Sequence, residues 1–475
     1  MKVLMLGWEY PPHISGGLGT ACEGLTQALA RHGIEIDFVV PRLYGGEDAG
    51  HMQILGASDA PDPLPRGTAA RVTAGRASIG PGASPAFATR RSDAVTTGSV
   101  RTIAIPARLK PYLNQASYDA WIEAAEGELE LASDVAELGQ EEDPPAGHGH
   151  AQPSGADESS SHVEAKGTHY GTDLFSEVAR YAATATRRVR GRRYDLVHAH
   201  DWMTFPAGVE IAARVGAPLV THVHSLEYDR AAGGADEEIV AVERHGLTEA
   251  TRVIAVSYYT RGLINRVHGT ALDKISVVHN GVYTRETVQA YTRERDRTGP
   301  VVLFLGRVTF QKGPEYFVEA AARVLKHIPD ATFVMAGSGD MLPRMKVLVE
   351  RLGMEESFRF PGFVRGPELE RTFSTADVYV MPSVSEPFGI APLEAMSYDR
   401  PVVVSKQSGV SEVLRNALKV DFWDVDKMAS QIVGLLELPE LRRVIVERAR
   451  EEIRHIHWDA AADKLVPIYQ SLSAA

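Results

Sequence analysis

Residues 376–404 read ADVYVMPSVSEPFGIAPLEAMSYDRPVVV, and the fold turns on how this stretch is divided. Residues 377–382 form an apolar run of strand length, a tight loop follows, a helix opens near Gly389, and residues 401–404 form a second strand. Strand, helix, strand is the unit of a parallel sheet, because parallel neighbours need a crossover between them. Glu386 falls in the loop; Glu394, with seven residues between the two acids, falls one to two turns into the helix. Between them lie the amides of Gly389, Ile390 and Ala391, which a helix start leaves without intrahelical partners at the positive end of its dipole. Pro392 costs little there, since a first-turn amide makes no helical bond. The junction offers an anion seat with a carboxylate on either side. Such chemistry suits a phosphorylated sugar, with amides for phosphate and acids for hydroxyls.

Outward from this stretch the same alternation recurs. VVLFLGRVTFQKG from Val301, then ATFVMAGSGDM and FRFPGFV, are apolar runs that end in glycine-bearing loops. The N-terminal half has strand-like runs at residues 3–7, 36–41, 102–106, 196–200, 218–224, 253–256 and 275–279, with helical patterns at 21–31, 173–190 and 207–215. Strands alternating with helices predict an α/β protein of two doubly wound parallel-sheet (Rossmann-like) domains facing each other across a cleft. The expected division is residues 1–282, an exposed crossing at 283–299, a second domain at 300–454 and an amphipathic C-terminal helix at 455–475. Two polar insertions, about 45–99 and 123–168, interrupt the first domain. Within the second, residues 123–143 read as acidic and partly helical and residues 141–168 as a flexible linker, in which His148, His150 and His162 are incidental.

The 62 acids against 50 bases give a net charge of −12, which argues against a nucleic-acid partner. One cysteine, Cys22, rules out an internal disulfide and fits a cytoplasmic setting. No run of 18 apolar residues suggests a membrane span, and MKVLMLGWEY reads as a first strand broken by Glu9 rather than as a signal segment.

Ligands of open parallel sheets bind beyond the carboxyl ends of strands. Five candidates sit at such ends: Gly16 with Gly17, His224, Arg307 with Lys312, Gly337 to Gly339, and Glu386. Gly16 and Gly17 let backbone approach a phosphate, although GGLG is not the dinucleotide fingerprint. Arg307 and Lys312 can neutralise a diphosphate leaving group, and a neutral His224 can bond a sugar hydroxyl. His198, His200 and Asp201 take a supporting role.

Glu386-Pro387-Phe388-Gly389 followed by Glu394-Ala395-Met396 resembles the Glu-x7-Glu signature of family 4 glycosyltransferases, retaining enzymes of the GT-B fold that include bacterial glycogen and starch synthases. The resemblance implies a glycogen synthase-like hexosyltransferase. It also implies that the C-terminal helix returns to the N-terminal domain. His224 and Glu386 are then similar to residues that contact the transferred sugar, and Arg307 and Lys312 to the diphosphate cradle. Glu394 resembles the ribose-binding acid, with Gly16, Gly17, Gly389, Ile390 and Ala391 lining the phosphates. The implied partners are a UDP- or ADP-hexose donor and a saccharide or glucan acceptor, with no cofactor and no metal. Asp424-Val425-Asp426 mimics the metal-binding DxD of another glycosyltransferase fold, but its place before a helix makes Asp426 an N-cap. Bacterial glycogen and starch synthases open this loop with Lys-Thr-Gly-Gly-Leu, whereas this chain reads Ile14-Ser15-Gly16-Gly17-Leu18, so Ile14 stands in the lysine's place and one cation has left the cradle. That loss favours a UDP-hexose over ADP-glucose, with Arg230 as a conceivable substitute cation. A sugar-nucleotide epimerase or hydrolase, and a non-catalytic sugar-nucleotide-binding protein, are the rival readings.

Overall fold

The computed structural model describes residues 1–11, 17–41, 52–55, 100–104, 174–231, 234–283 and 299–474. Gly16, Ser15, the polar stretch 123–168 and residues 284–298 of the expected crossing lie outside them.

Among the described residues, eight strands form the first sheet: β1 (Lys2–Leu6), β2 (Glu35–Val40), β3 (Met52–Leu55), β4 (Val100–Ala104), β5 (Leu196–His200), β6 (Leu219–Val223), β7 (Arg252–Ala255) and β8 (Ile275–Val277). They lie in the order β3-β4-β2-β1-β5-β6-β7-β8, and every pair is parallel. The second sheet has six: β9 (Val301–Leu305), β10 (Thr332–Ala336), β11 (Phe358–Gly362), β12 (Val378–Met381), β13 (Val402–Ser405) and β14 (Leu418–Val420). Its order is β11-β10-β9-β12-β13-β14, again parallel throughout. From β9 the chain winds outward through β10 and β11, then restarts on the other side of β9 with β12. The loops that follow β9 and β12 therefore meet where winding reverses, the place where such sheets bind ligands.

The apolar runs form strands because helices cover both faces of each sheet. β5 and β6 are buried along their whole length, which an unbroken LVHAH or LVTHV requires. One face of the first sheet is covered by helices Leu174–Arg188 and Phe205–Val215. The other carries helix Gly17–Arg31 and helix Trp458–Ser473, the last of the chain, whose Trp458, Leu465 and Tyr469 share a core with Val3, Leu25 and Phe38. Val282 and His457 form a parallel bridge at the start of that helix, and Arg31 pairs with Asp459 at 2.6 Å.

Three expectations need correction. β3 falls in a stretch read as lacking order; its four residues are too few for a periodic signal among alanines, glycines and prolines. The first helix begins at Gly17 rather than Ala21, and the Gly19 amide donates to the buried Glu9 carboxylate at 3.1 Å. Asp424, not Asp426, caps the helix Val425–Glu437, accepting from the Lys427 amide at 3.1 Å. Asp426 lies inside the first turn and pairs with Arg323.

Candidate active site

The loop after β12 is pinned from three sides. Val384 N donates to the carbonyl of the buried Gln311, 2.9 Å away, which joins it to the loop after β9. Glu386 N donates to Gln407 O at 3.0 Å, and Gly409 N to Glu386 O at 2.9 Å, which joins it to the loop after β13. Gly313, in the left-handed region at φ 62°, has room only for hydrogen, since a Cβ there would stand 2.2 Å from Pro382 O. These constraints hold the Glu386 side chain in place. Its Oε2 accepts from Lys312 Nζ at 2.5 Å and from Ser383 Oγ at 3.1 Å, and Glu386 is only 6% exposed. Arg307 stands at the same loop, with Nη2 3.4 Å from Gln311 Oε1.

Past Glu386 the chain turns through Gly389 at φ 96°, where a Cβ would press on Glu386 Cγ and Met381 Sδ at 3.1 Å each. The helix is Ala391–Ser397, so Glu394 sits in its first turn rather than one to two turns along. Its ladder begins when the amides of Leu393 and Glu394 reach Ile390 O, leaving the amides of Ile390 and Ala391 ahead of it. Gly17 faces this turn from the other domain: a Cβ on Gly17 would lie 4.0 Å from Ile390 Cδ1. The two expected phosphate-lining segments thus approach each other across the cleft, with Gly16 outside the described residues.

His224 follows β6 and is half-buried. Asp201 sets its position: Oδ1 accepts from the amides of His224 at 2.7 Å and Ser225 at 3.3 Å, and Asp201 holds φ 59° to do so. Burial drives His224 down to about 3, so the ring is neutral, and it lifts the Asp201 carboxyl to about 7. Arg230 is not a spare cation, being committed to Glu227 at 3.3 Å and Glu243 at 3.6 Å.

Sequence reasoning missed Asp229. It is 3% exposed, accepts from Leu226 N at 2.8 Å, and receives the Ser385 hydroxyl from the second domain at 2.6 Å. Tyr259 OH meets the same Ser385 hydroxyl at 2.8 Å, and Ser257 Oγ donates to Pro387 O at 2.6 Å. The segments carrying His224 and Glu386 are stitched together by these bonds. Nothing in LEYDR marks Asp229, because its burial comes from a loop more than 150 residues away.

His198, His200 and His222 bring ring nitrogens within 4.8 Å of one another. The rings of His198 and His200 stack at 4.3 Å and 17°, and those of His198 and His222 at 5.3 Å and 19°. Lone pairs of stacked rings run side by side, whereas a tetrahedral zinc with bonds of about 2.0–2.1 Å needs them to converge.

The chain is similar to known proteins in sequence and in fold. The profile of group 1 glycosyl transferases matches residues 290–452, that of Glycosyltransferase Family 4 residues 147–286, and the starch synthase catalytic domain residues 2–73. This chain is a family 4 glycosyltransferase. Among its relatives, an uncharacterized glycosyltransferase of Methanocaldococcus jannaschii is 28% identical over 99% of this chain and 98% of its own length. Mycobacterium tuberculosis glycogen synthase is 25% identical over 99% and 94%. The D-inositol 3-phosphate glycosyltransferase of Salinispora arenicola is 31% identical over 59% of this chain and 70% of its own length. Sucrose-phosphate synthase from Thermosynechococcus elongatus superposes with a TM-score of 0.65 at 18% identity, covering 100% of this chain and 99% of that one. A structure of Anabaena HepE with UDP and glucose superposes at 0.59 and 16% identity, covering 99% and 100%. The fold of this glycosyltransferase is thus GT-B, glycogen synthase-like in its relatives. Among the described residues no helix is long and apolar enough to cross a membrane.

Proposed function

We propose that this glycosyltransferase moves a hexosyl unit, glucosyl in the first instance, from a nucleoside diphosphate sugar to a saccharide hydroxyl. It does so with retention of configuration, in the cytoplasm and without a metal ion. The observation that carries the reading is the junction of Lys312, Ser383 and Glu386 where the loops after β9 and β12 meet, stitched to the segment that bears the neutral His224. As the diphosphate departs, Arg307, Lys312 and the amides at Gly389, Ile390 and Ala391 take its charge. Lys312 already rests on Glu386, so it can turn from one anion to the other over a short distance. Glu386 and His224 hold the hexose while the acceptor attacks from the face the diphosphate leaves. The departing phosphate oxygen takes the acceptor's proton, and no side chain forms a covalent sugar adduct. Glu394 holds the ribose, and Gly16 and Gly17 line the phosphates.

Ile14 in place of a lysine favours a UDP-hexose over ADP-glucose. The acceptor is a glucan if the kinship with glycogen synthase governs. The greater identity to a D-inositol 3-phosphate glycosyltransferase supports a phosphorylated polyol as the second reading. The test is initial rates with UDP-glucose, ADP-glucose and GDP-mannose on a maltooligosaccharide and on inositol phosphate, before and after exhaustive chelation, with the product anomer read by proton NMR. UDP-glucose should be fastest, chelation without effect, and the anomer retained. Inversion, or a loss on chelation that manganese restores, overturns the mechanism; preference for ADP-glucose overturns the donor assignment. Release of free hexose at the same rate without acceptor would mark a hydrolase.

A further inference from the structure

Two His-x-His triplets lie side by side in the first sheet. His198 and His200 come from β5, and His222 and His224 from the end of β6, with His200 paired in register to His222. Their rings share one face of the sheet: His222 and His224 stack at 4.2 Å and 24°, and His200 and His224 stand 5.2 Å apart at 33°. Phe38 lies over His200 at 6.4 Å, and the Tyr469 hydroxyl from the C-terminal helix meets His198 Nδ1 at 2.5 Å. Burial holds all four rings far below the usual imidazole range, so each is neutral and carries its one proton on one nitrogen or the other.

Which nitrogen is protonated follows from where partners exist. His200 is 0% exposed; its Nε2 is buried with no hydrogen-bond partner, while its Nδ1 stands 2.9 Å from His224 Nε2. A buried N–H without an acceptor is rarer than an under-used lone pair and forfeits a full hydrogen bond. The His200 proton therefore belongs on Nδ1, the nitrogen that has a neighbour. His200 then donates and His224 Nε2 accepts. A neutral His224 whose Nε2 is an acceptor must hold its own proton on Nδ1, the nitrogen that has no hydrogen-bond partner among the described residues.

We propose that His200 is a positioning residue that fixes His224 as the Nδ1–H tautomer, so that His224 presents a hydrogen-bond donor, and not a lone pair, to an oxygen of the donor hexose. Free imidazole side chains in water favour the opposite tautomer, so the His200 contact has a measurable consequence. The substrate part of this inference rests on the reading of His224 as a sugar-contacting residue. The tautomer itself does not, and it is measured without substrate.

The experiment uses the full chain labelled with 15N-histidine, with His224 assigned by the signals lost in His224→Gln. In the wild type, His224 Nε2 should show the shift of an unprotonated ring nitrogen and Nδ1 that of a protonated one. His200→Asn, whose amide N–H can stand near the former Nδ1–H, should keep that pattern and most of the activity. His200→Leu should move His224 toward the Nε2–H form and lower kcat by roughly 10²-fold, as for a misoriented catalytic group. A wild-type His224 protonated at Nε2 overturns the proposal, even if neither variant folds. So does a His200→Asn protein that melts like the wild type yet is as inactive as His200→Leu. A correct tautomer pattern with no hexosyl transfer would leave the positioning intact and refute the functional reading instead.

Discussion

Lys312 and Glu386 share one contact of 2.5 Å, with side chains 21% and 7% exposed. Neither can be removed without leaving the other partly buried and unpaired, so their single-variant effects overlap rather than add. Glu386→Ala and Lys312→Ala should each lower kcat by roughly 10²–10⁴-fold, about 3–5.5 kcal/mol of barrier, and the double variant should be little worse than the poorer single. Steady-state rates on the three proteins check this; near-normal turnover in either single variant removes that residue from the mechanism. The place of Glu386 was legible from the motif and from the strand-end rule, and that of Lys312 from the strand-end rule together with the resemblance to a diphosphate cradle. Asp229 and the His200–His224 contact were not, since each depends on which strands or loops become neighbours. Asp424 and Asp426 mark a finer limit. Both suit a helix start, and only the backbone decides that Asp424 reaches the Lys427 amide while Asp426, with its side chain 85% exposed, lies in the first turn. Asp424→Ala should accordingly cost about 1 kcal/mol in urea unfolding, and Asp426→Ala less than about 0.5 kcal/mol. Equal losses would mean that the cap contributes nothing of its own.

At the scale of elements, long apolar runs were readable to within a residue or two, because burial on both sheet faces leaves no ambiguity about which side chains are apolar. Two short edge strands were not: β3 has four residues and β14 three, and each pairs with a longer neighbour, whereas the three-residue edge strand β8 falls inside the run 275–279. The helix Gly17–Arg31 begins in a glycine pattern of poor intrinsic propensity, and the Glu9 carboxylate supplies what the local sequence lacks. The same helix shows how the C-terminal return is specified. A Cβ built on Gly24 would lie 2.2 Å from Cε2 of Trp458, a ring that is itself 2% exposed, so the two helices approach closely only because Gly24 has no side chain. Gly24→Ala should therefore destabilise the protein by about 1–3 kcal/mol through overpacking, although alanine is the better helix former. Limited proteolysis should then release the segment from Trp458 onward sooner than in the wild type. A variant as stable and as resistant as the parent would show that Trp458 can swing aside freely.

For the whole molecule, the decisive feature is that the two domains are joined beside the site itself. Glu412 accepts from the amides of Tyr258 at 2.9 Å and Tyr259 at 2.6 Å, and Asp229 receives Ser385 a single residue before Glu386. Asp229 makes this junction sensitive to pH. Burial raises its carboxyl from the ordinary 3.8 to about 6; the nearby Glu386 adds to the rise, while Ser385, the Leu226 amide and Arg230 oppose it. Between those two values the folded protein keeps a proton that the unfolded chain has released. Its contribution to stability is thus present in acid and is lost as pH rises through about 6. At about 1.4 kcal/mol per pKa unit, the loss between pH 4.5 and 7.5 comes to roughly 2 kcal/mol. Asparagine cannot ionise, yet its carbonyl can still accept the Ser385 hydroxyl. Asp229→Asn should therefore gain on the wild type by about 2 kcal/mol on going from pH 4.5 to pH 7.5, whatever constant offset the lost Leu226 contact imposes. Urea unfolding of both proteins at the two pH values measures that difference directly. An offset that stays the same at both would mean that Asp229 ionises in the folded protein as readily as in the unfolded chain, and that the junction does not respond to pH through it.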